Sequence, residues 1–155
     1  MISGGGSDPD LDTRVSSYGM NAWLLSMGVV VSATVHGSQY FFREADIGRP
    51  SLTPLLGDCV DQSSSPRADD RPPRNLQTPW GDAAVPYSGM KYFVISRHGF
   101  PPNPVPTNWP SNQPLPGAVN VSFFDGHGEL VKLDYLWQLY WHKDYQPPAK
   151  RPGLP

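Results

Sequence analysis

The sequence lacks most of the features that mark the common functional classes. Its 155 residues carry a formal net charge of −2, and no stretch gathers enough Lys and Arg to form a phosphate-binding surface. Nucleic acid is therefore not an expected partner. The single cysteine, Cys59, excludes an internal disulfide and has no neighbouring cysteine for metal or redox chemistry. We interpret it as a half-buried thiol.

Long apolar runs are also missing. The longest, Ala22 to Val35, is interrupted by Ser and Gly and is shorter than the ~20 residues that a membrane-spanning helix needs. Residues 1–10 show neither the basic nor the apolar region of a signal peptide. The sequence therefore predicts a soluble chain with no membrane segment and no export signal.

Recognisable catalytic motifs are few. The sequence contains no Gly-x-Ser-x-Gly elbow, no Gly-rich phosphate loop and no His-Glu-x-x-His pair. It also lacks the His-x-His-x-Asp-His pattern of dinuclear zinc lactonases. An enzyme built on this chain would need a different arrangement of catalytic groups.

Proline and glycine, in contrast, are abundant. The 19 Pro and 15 Gly exceed a fifth of the chain, and apolar residues make up only 38%. Because proline removes a backbone donor and fixes φ, this composition disfavours long helices and broad sheets. We predict an α+β fold, a small antiparallel sheet with short helices and long Pro-rich loops. Residues 1–14 read as a flexible leader, 15–145 as a single domain and 146–155 as an extended Pro-rich tail.

The clearest strand signals lie in the second half of the chain. Side chains alternate along residues 92–97 and again along 119–124, and these segments are expected to be neighbours in one sheet. Asp125-Gly126 suits a tight hairpin turn, with Glu129 to Lys132 as the returning strand.

The helical signals are short. Asn21 is placed to cap a brief helix over residues 22–27, and Asp134 to cap a terminal helix whose Trp137 and Trp141 have core spacing. His142, after this helix, is interpreted as a surface residue. Residues 58–87 read as a long surface loop in which Trp80 is a candidate anchor.

Six short motifs, in this order, resemble those of bacterial pseudopilin-like proteins with a processing-associated C-terminal domain, which is named for a His, nine residues and Asp-Gly. They are Ser17-Tyr18-Gly19-Met20-Asn21, Pro54-Leu55-Leu56-Gly57-Asp58, Arg97-His98-Gly99, Gly117-Ala118-Val119-Asn120-Val121, Phe123-Phe124-Asp125-Gly126-His127 and Leu136-Trp137-Gln138-Leu139-Tyr140-Trp141-His142.

The chain departs from that family in two ways. His98 and Asp125 are separated by 26 residues, as if residues 100–115 were an insertion that bulges out as a loop. The long hydrophobic N-terminal helix, with which such proteins enter the membrane and pack into a fibre, is absent from this sequence. The resemblance implies other pseudopilins or secretion components as partners, and a periplasmic or cell-surface location.

A candidate site follows from the predicted sheet. His98 ends one strand while Asp125 and His127 flank the hairpin turn beside it, so we expect all three to meet at one sheet edge. Asp58 and Asn120, in the matching motifs, are possible further members. The oxygens of Asp58, Asn120 and Asp125 suit Ca²⁺, and some pseudopilins that the chain resembles hold calcium. The histidines would favour Zn²⁺. A purely structural hairpin, with His hydrogen-bonded to Asp, remains the competing interpretation.

Two functions follow from these expectations. The first is a structural or binding component of a secretion or pilus-like apparatus, with Ca²⁺ as a candidate stabilising ion. The second is a calcium-dependent hydrolase of small lactones or esters, with His98 or His127 as general base for water.

Overall fold

In a computed structural model of the protein, residues 17–27 and 39–155 are described. The predicted leader, residues 1–14, lies outside these residues. The strands are β1 (Tyr18–Asn21), β2 (Pro54–Asp58), β3 (Ser63–Ser64), β4 (Ala118–Phe123) and β5 (Gly128–Lys132). Short 3₁₀ helices occupy Ala22–Met27, Glu44–Asp46, Pro50–Leu52, Pro79–Gly81, Met90–Tyr92 and Leu133–Gln138.

The five strands form one sheet in the order β3-β1-β2-β4-β5. β1 pairs with β3 in parallel, whereas the β1/β2, β2/β4 and β4/β5 pairs are antiparallel. The α+β class is thus confirmed, but the sheet is mixed and not purely antiparallel. Within the described residues, no helix is long and apolar enough to cross a bilayer.

The hairpin between β4 and β5 is confirmed. Ser122 pairs with Gly128 and Ala118 with Lys132, and Gly126 takes a positive φ of 93° in the turn, a conformation that glycine adopts at no steric cost. Val119, Val121 and Phe123 are all buried on the inner face of the sheet. The alternation along this strand therefore sorted core from surface correctly.

The prediction of a strand over residues 92–97 is wrong. The chain makes a 3₁₀ turn at Met90–Tyr92 and then continues irregularly, and only His98 pairs with β4, through an isolated bridge to Ala118. Phe93, Val94 and Ile95 are all buried. A segment that is enclosed on every side has no solvent face to impose a period of two, so its apparent alternation carried no structural information.

Both helix predictions need adjustment. The Asn21 side chain accepts a hydrogen bond from Trp23 N at 3.2 Å, as a cap should, but the helix after it is 3₁₀. Leu133–Gln138 is also 3₁₀, and Lys132 occupies its N-cap position. Asp134 instead accepts from the backbone N–H of Leu115 at 3.0–3.1 Å.

The core is rich in tryptophan. Trp23, Trp137 and Trp141 are almost completely buried, which confirms the packing role predicted for the last two. Trp80 is 52% exposed and does not anchor the 58–87 segment; Leu76, which is buried, does so. His142 is only 6% exposed and is not the surface residue that the sequence suggested.

The Pro-rich tail contacts the domain through Arg151. Its guanidinium is buried, donates to the carbonyl oxygen of Ser111 at 2.8 Å and to that of Gln113, and pairs with Asp134. The tail therefore holds the Pro-rich loop of residues 99–117 against the last 3₁₀ helix.

Candidate functional site

Three of the predicted site residues meet on the outer face of the sheet. The β2/β4 register pairs Leu56 with Ser122 and Gly57 with Val121, so Asp58 at the end of β2 comes next to Asn120. His98 pairs with Ala118, two residues before Asn120. Because residues two apart on a strand share a face, His98 lies on the same side of the sheet as Asn120.

The centre of this polar cluster is the carboxylate of Asp58, which is 2% exposed. Its Oδ2 accepts from Asn120 N at 2.7 Å and lies 3.2 Å from His98 Nε2. Its Oδ1 lies 3.5 Å from Arg97 Nη1. Both oxygens are thus occupied by groups of the protein, which makes the carboxylate a junction between β2, β4 and the 97–98 segment.

The position of the proton on the His98 ring decides which neighbour Nε2 can bond. Nε2 also lies 3.0 Å from the side-chain amide of Asn120. One ring nitrogen cannot donate to Asp58 and accept from Asn120 at the same time. The contact from Asn120 Nδ2 therefore needs an unprotonated Nε2, whereas a hydrogen bond to Asp58 needs a protonated Nε2.

The other two predicted residues form a separate pair at the hairpin turn. His127 Nδ1 lies 2.6 Å from Asp125 Oδ1, which also accepts from His127 N at 3.2 Å. The His127 ring stacks on Phe123 with centroids 4.4 Å apart. The hydrogen bond from His127 holds the pKa of the Asp125 carboxyl below its ordinary value.

The predicted convergence of His98, Asp125 and His127 is wrong. His98 sits beside Ala118 at the start of β4, whereas Asp125 follows the end of that strand at Phe123. At ~3.3 Å per residue the strand alone spans more than about 15 Å. The two His–Asp pairs are therefore at opposite ends of β4.

This separation bears on the predicted calcium site. Asp58 and Asn120 lie together, but Asp125 does not join them, and the oxygens of Asp58 are already engaged. Residues 17–27 and 39–155 contain no group of three or more His, Cys, Asp or Glu that could hold a metal ion. Asp58, Asn120 and Asp125 thus do not fit a Ca²⁺ shell of six to eight oxygens.

Cys59, next to Asp58, is not a candidate nucleophile. It is fully buried rather than half-buried, and burial raises the pKa of its thiol to about 12. A reactive cysteine needs a thiolate that solvent can reach. Its closeness to the polar cluster therefore reflects packing.

Sequence reasoning missed an apolar surface beside the polar cluster. Tyr18 on β1, Leu56 on β2 and Leu130 on β5 are 58%, 38% and 52% exposed, and they line a shallow groove of about 290 Å³ that Asn120 also borders. We call Tyr18, Leu56 and Leu130 the outer row. One feature of the sequence indicated it. Leu130 and Val131 are adjacent apolar residues in a strand, and because neighbours in a strand point to opposite faces, one of them must lie on the outer face.

Comparison of the chain with protein-family models, with curated proteins and with solved structures finds no significant match.

Proposed function

We propose that this chain is a pseudopilin-like structural and binding module, which docks through its outer row on a domain of its own kind in the cell envelope. The observation that carries the proposal is the exposure of three large side chains on three strands of one sheet face. Exposed apolar side chains that line one groove and are bordered by polar residues often mark an interaction site.

The shape of the face favours a protein partner. The groove between Leu56, Asn120 and Leu130 is open and shallow, whereas small-molecule sites enclose most of their ligand. The Asp58 cluster borders it with hydrogen bonds already satisfied, so a partner would meet a polar rim at little desolvation cost.

The position of β5 favours a partner of the same kind. β5 is the last strand of the sheet, and within the described residues only β4 pairs with it. Two β5 strands that paired antiparallel about Leu130 would place both Leu130 side chains on one face and join the two outer rows into one surface.

The resemblance supports this proposal independently of the calcium expectation. Four of its six motifs fall on β1, β2, β4 and the hairpin, which are the elements that build the outer face. Residues 100–115, the expected insertion, lie between His98 and Ala118, which are bridged to each other, so they do not interrupt the sheet.

The hydrolase alternative has less support. In the described part of the chain, no Ser, Thr or Cys side chain is hydrogen-bonded to His98 or His127. Either histidine could still activate water, so the alternative is tested alongside the proposal.

Sedimentation velocity over a wide concentration range tests the docking face. We expect reversible self-association that Leu56→Glu and Leu130→Glu abolish, because each places a charge in the apolar contact. Phe42→Glu is the matched control, since Phe42 is 51% exposed away from the outer row. A chain that stays monomeric at every concentration, or a control that dissociates equally, would overturn the proposal.

The same preparations test the alternative. They are incubated with model esters and lactones in Ca²⁺ or EDTA while the melting temperature is followed. We expect no turnover and no shift with either additive. Metal-dependent turnover that His98→Ala or His127→Ala removes would favour the hydrolase.

A further inference from the structure

A second concavity, of about 330 Å³, lies between the segment around Arg49 and the chain that follows Tyr140. Two backbone hydrogen bonds connect its walls: Tyr140 N donates to Leu52 O at 2.8 Å, and Lys143 N donates to Gln39 O at 3.0 Å. Its shape is therefore fixed by the backbone before any ligand arrives. Preformed walls reduce the ordering cost of binding.

The charges on this pocket leave one cation uncompensated. Lys143 Nζ lies 3.3 Å from Asp46 Oδ1, and the other oxygen of Asp46 accepts from Phe42 N at 3.1 Å and Arg43 N at 3.2 Å. This acid and this lysine neutralise each other. Among the described residues no carboxylate lies within 4.0 Å of the Arg49 guanidinium, so the lining of the pocket carries a net positive charge from Arg49.

The Arg49 guanidinium is also held in place. Its Cζ lies 4.7 Å from the centroid of the Tyr140 ring, a cation–π contact that holds the group against the ring. A planar guanidinium with open donors matches the two oxygens of a carboxylate.

His142 adds a second indication of an incomplete site. It lines the pocket and is 6% exposed, yet its Nδ1 is buried with no hydrogen-bond partner among the described residues. Such a buried, unpaired nitrogen is uncommon in native proteins and calls for a missing partner. A bound molecule or the water it orders would supply one.

We propose that this pocket binds a small organic monocarboxylate with an apolar body. Arg49 binds the carboxylate, while the partly exposed ring of Tyr140, which also lines the pocket, contacts the body. The volume is at the small end of the range for ligand pockets, about 300 to 1,000 Å³, which limits the ligand to a small acid. The proposal is independent of the outer row.

Isothermal titration with benzoate, benzamide and acetate tests this assignment on the full chain. Benzoate has both the charge and the apolar body, benzamide lacks the charge, and acetate lacks the body. We expect 1:1 binding of benzoate, with benzamide and acetate each at least about tenfold weaker.

Two variants locate the contact. Arg49→Met keeps most of the aliphatic stem and removes the donors, so it should weaken benzoate at least about tenfold. Arg49→Lys keeps the charge but not the planar guanidinium, so its affinity for benzoate should lie between those of the parent and Arg49→Met. Arg74→Met, at an exposed position outside the pocket, is the matched control and should bind as the parent does. Melting curves confirm that each variant is folded, and Arg49→Gln replaces Arg49→Met if it is not.

Three results with the ligands and the Arg49 variants would overturn the assignment, and one with the control variant. These are benzamide binding as well as benzoate, Arg49→Met binding at parental strength, or no benzoate binding at any soluble concentration. Loss of binding in Arg74→Met to the same degree would also overturn it, because it would show a general charge effect.

Discussion

Asp58 Oδ2 and His98 Nε2 lie 3.2 Å apart on the outer face of the sheet, whereas the sequence predicted that His98 meets Asp125 and His127, with Asp58 only as a possible further member. The contact exists because His98 takes up the position beside β4 that β2 leaves free after Asp58. The protein therefore has two His–Asp pairs of different character, one around a buried carboxylate and one at an exposed turn.

Replacing each acid tests this difference. Asp58→Asn removes the charge that Arg97 and His98 face and should lower the free energy of unfolding by about 1–3 kcal/mol. Asp125→Asn is the matched control in the exposed pair and should change stability much less, since solvent screens that contact. Urea unfolding measures both. Equal losses in the two variants would show that the Asp58 cluster is not a junction.

The sequence predicted local features of the fold better than long-range ones. Asp125-Gly126 identified the turn because its backbone conformation depends on those two residues alone. Asn21 was recognised as a cap for the same reason.

The partners of each acid depended on packing across the fold, which local pattern does not contain. Asp58 and His98 meet because a segment without regular structure is bridged to Ala118. The outer row was equally hidden, because its members come from three strands whose order in the sheet the sequence does not state.

Two buried titratable groups make opposite contributions to stability in acid. Burial raises the pKa of Asp70 to about 6 and lowers that of His142 to about 4. The folded protein holds the Asp70 proton longer than the unfolded chain does, so this group's contribution to stability falls as pH rises from about 4 to 6. As pH falls, His142 takes up its proton at a higher pH in the unfolded chain than in the folded protein. The contribution of His142 to stability therefore rises as pH rises from about 4 to 6.5.

Removing either group should leave the pH dependence of stability that comes from the other group. His142→Phe, which keeps a ring against Trp23 and Tyr145, should make stability rise less steeply than in the parent between pH 4 and 6.5. Asp70→Asn should make it rise more steeply between pH 4 and 6. Urea unfolding at a series of pH values provides the slopes, and parallel curves for all three proteins would contradict the assignment.

Gly19 is expected to tolerate no side chain. A Cβ built there would lie 2.4 Å from the carbonyl oxygen of Asp61 and 2.7 Å from Cys59 Cβ and Sγ. Gly19→Ala should therefore cost about 1–3 kcal/mol, as overpacking does. Gly81→Ala is the control, because nothing lies within 4 Å of its Cβ position. If thermal melts show the same shift for both, β1 is not packed as described.

Arg151 is expected to stabilise the fold although it lies near the end of the chain. Its guanidinium bonds Ser111 O, Gln113 O and Asp134; Arg151→Met would remove all three bonds and leave Asp134 with only the N–H of Leu115. We expect a loss of about 1.5–3 kcal/mol, typical of hydrogen bonds to a charged group. Lys150→Met, at an exposed neighbouring position, should be near neutral. A neutral result for Arg151→Met in urea unfolding would show that the tail does not hold the loop.

The bridge between His98 and Ala118 has a consequence for how this chain can change in length. Two backbone hydrogen bonds between His98 and Ala118, at 2.8 and 3.0 Å, close the loop of residues 99–117 at a single pair of residues. Residues gained or lost between its ends cannot shift the strands that follow. One residue added inside β4 would turn Leu130 and Asn120 toward the core, whereas many added between residues 99 and 117 would leave both facing outward. Length variation there is neutral for register, so the number of residues between a histidine and its Asp-Gly turn is a poor guide to whether two such chains share a sheet.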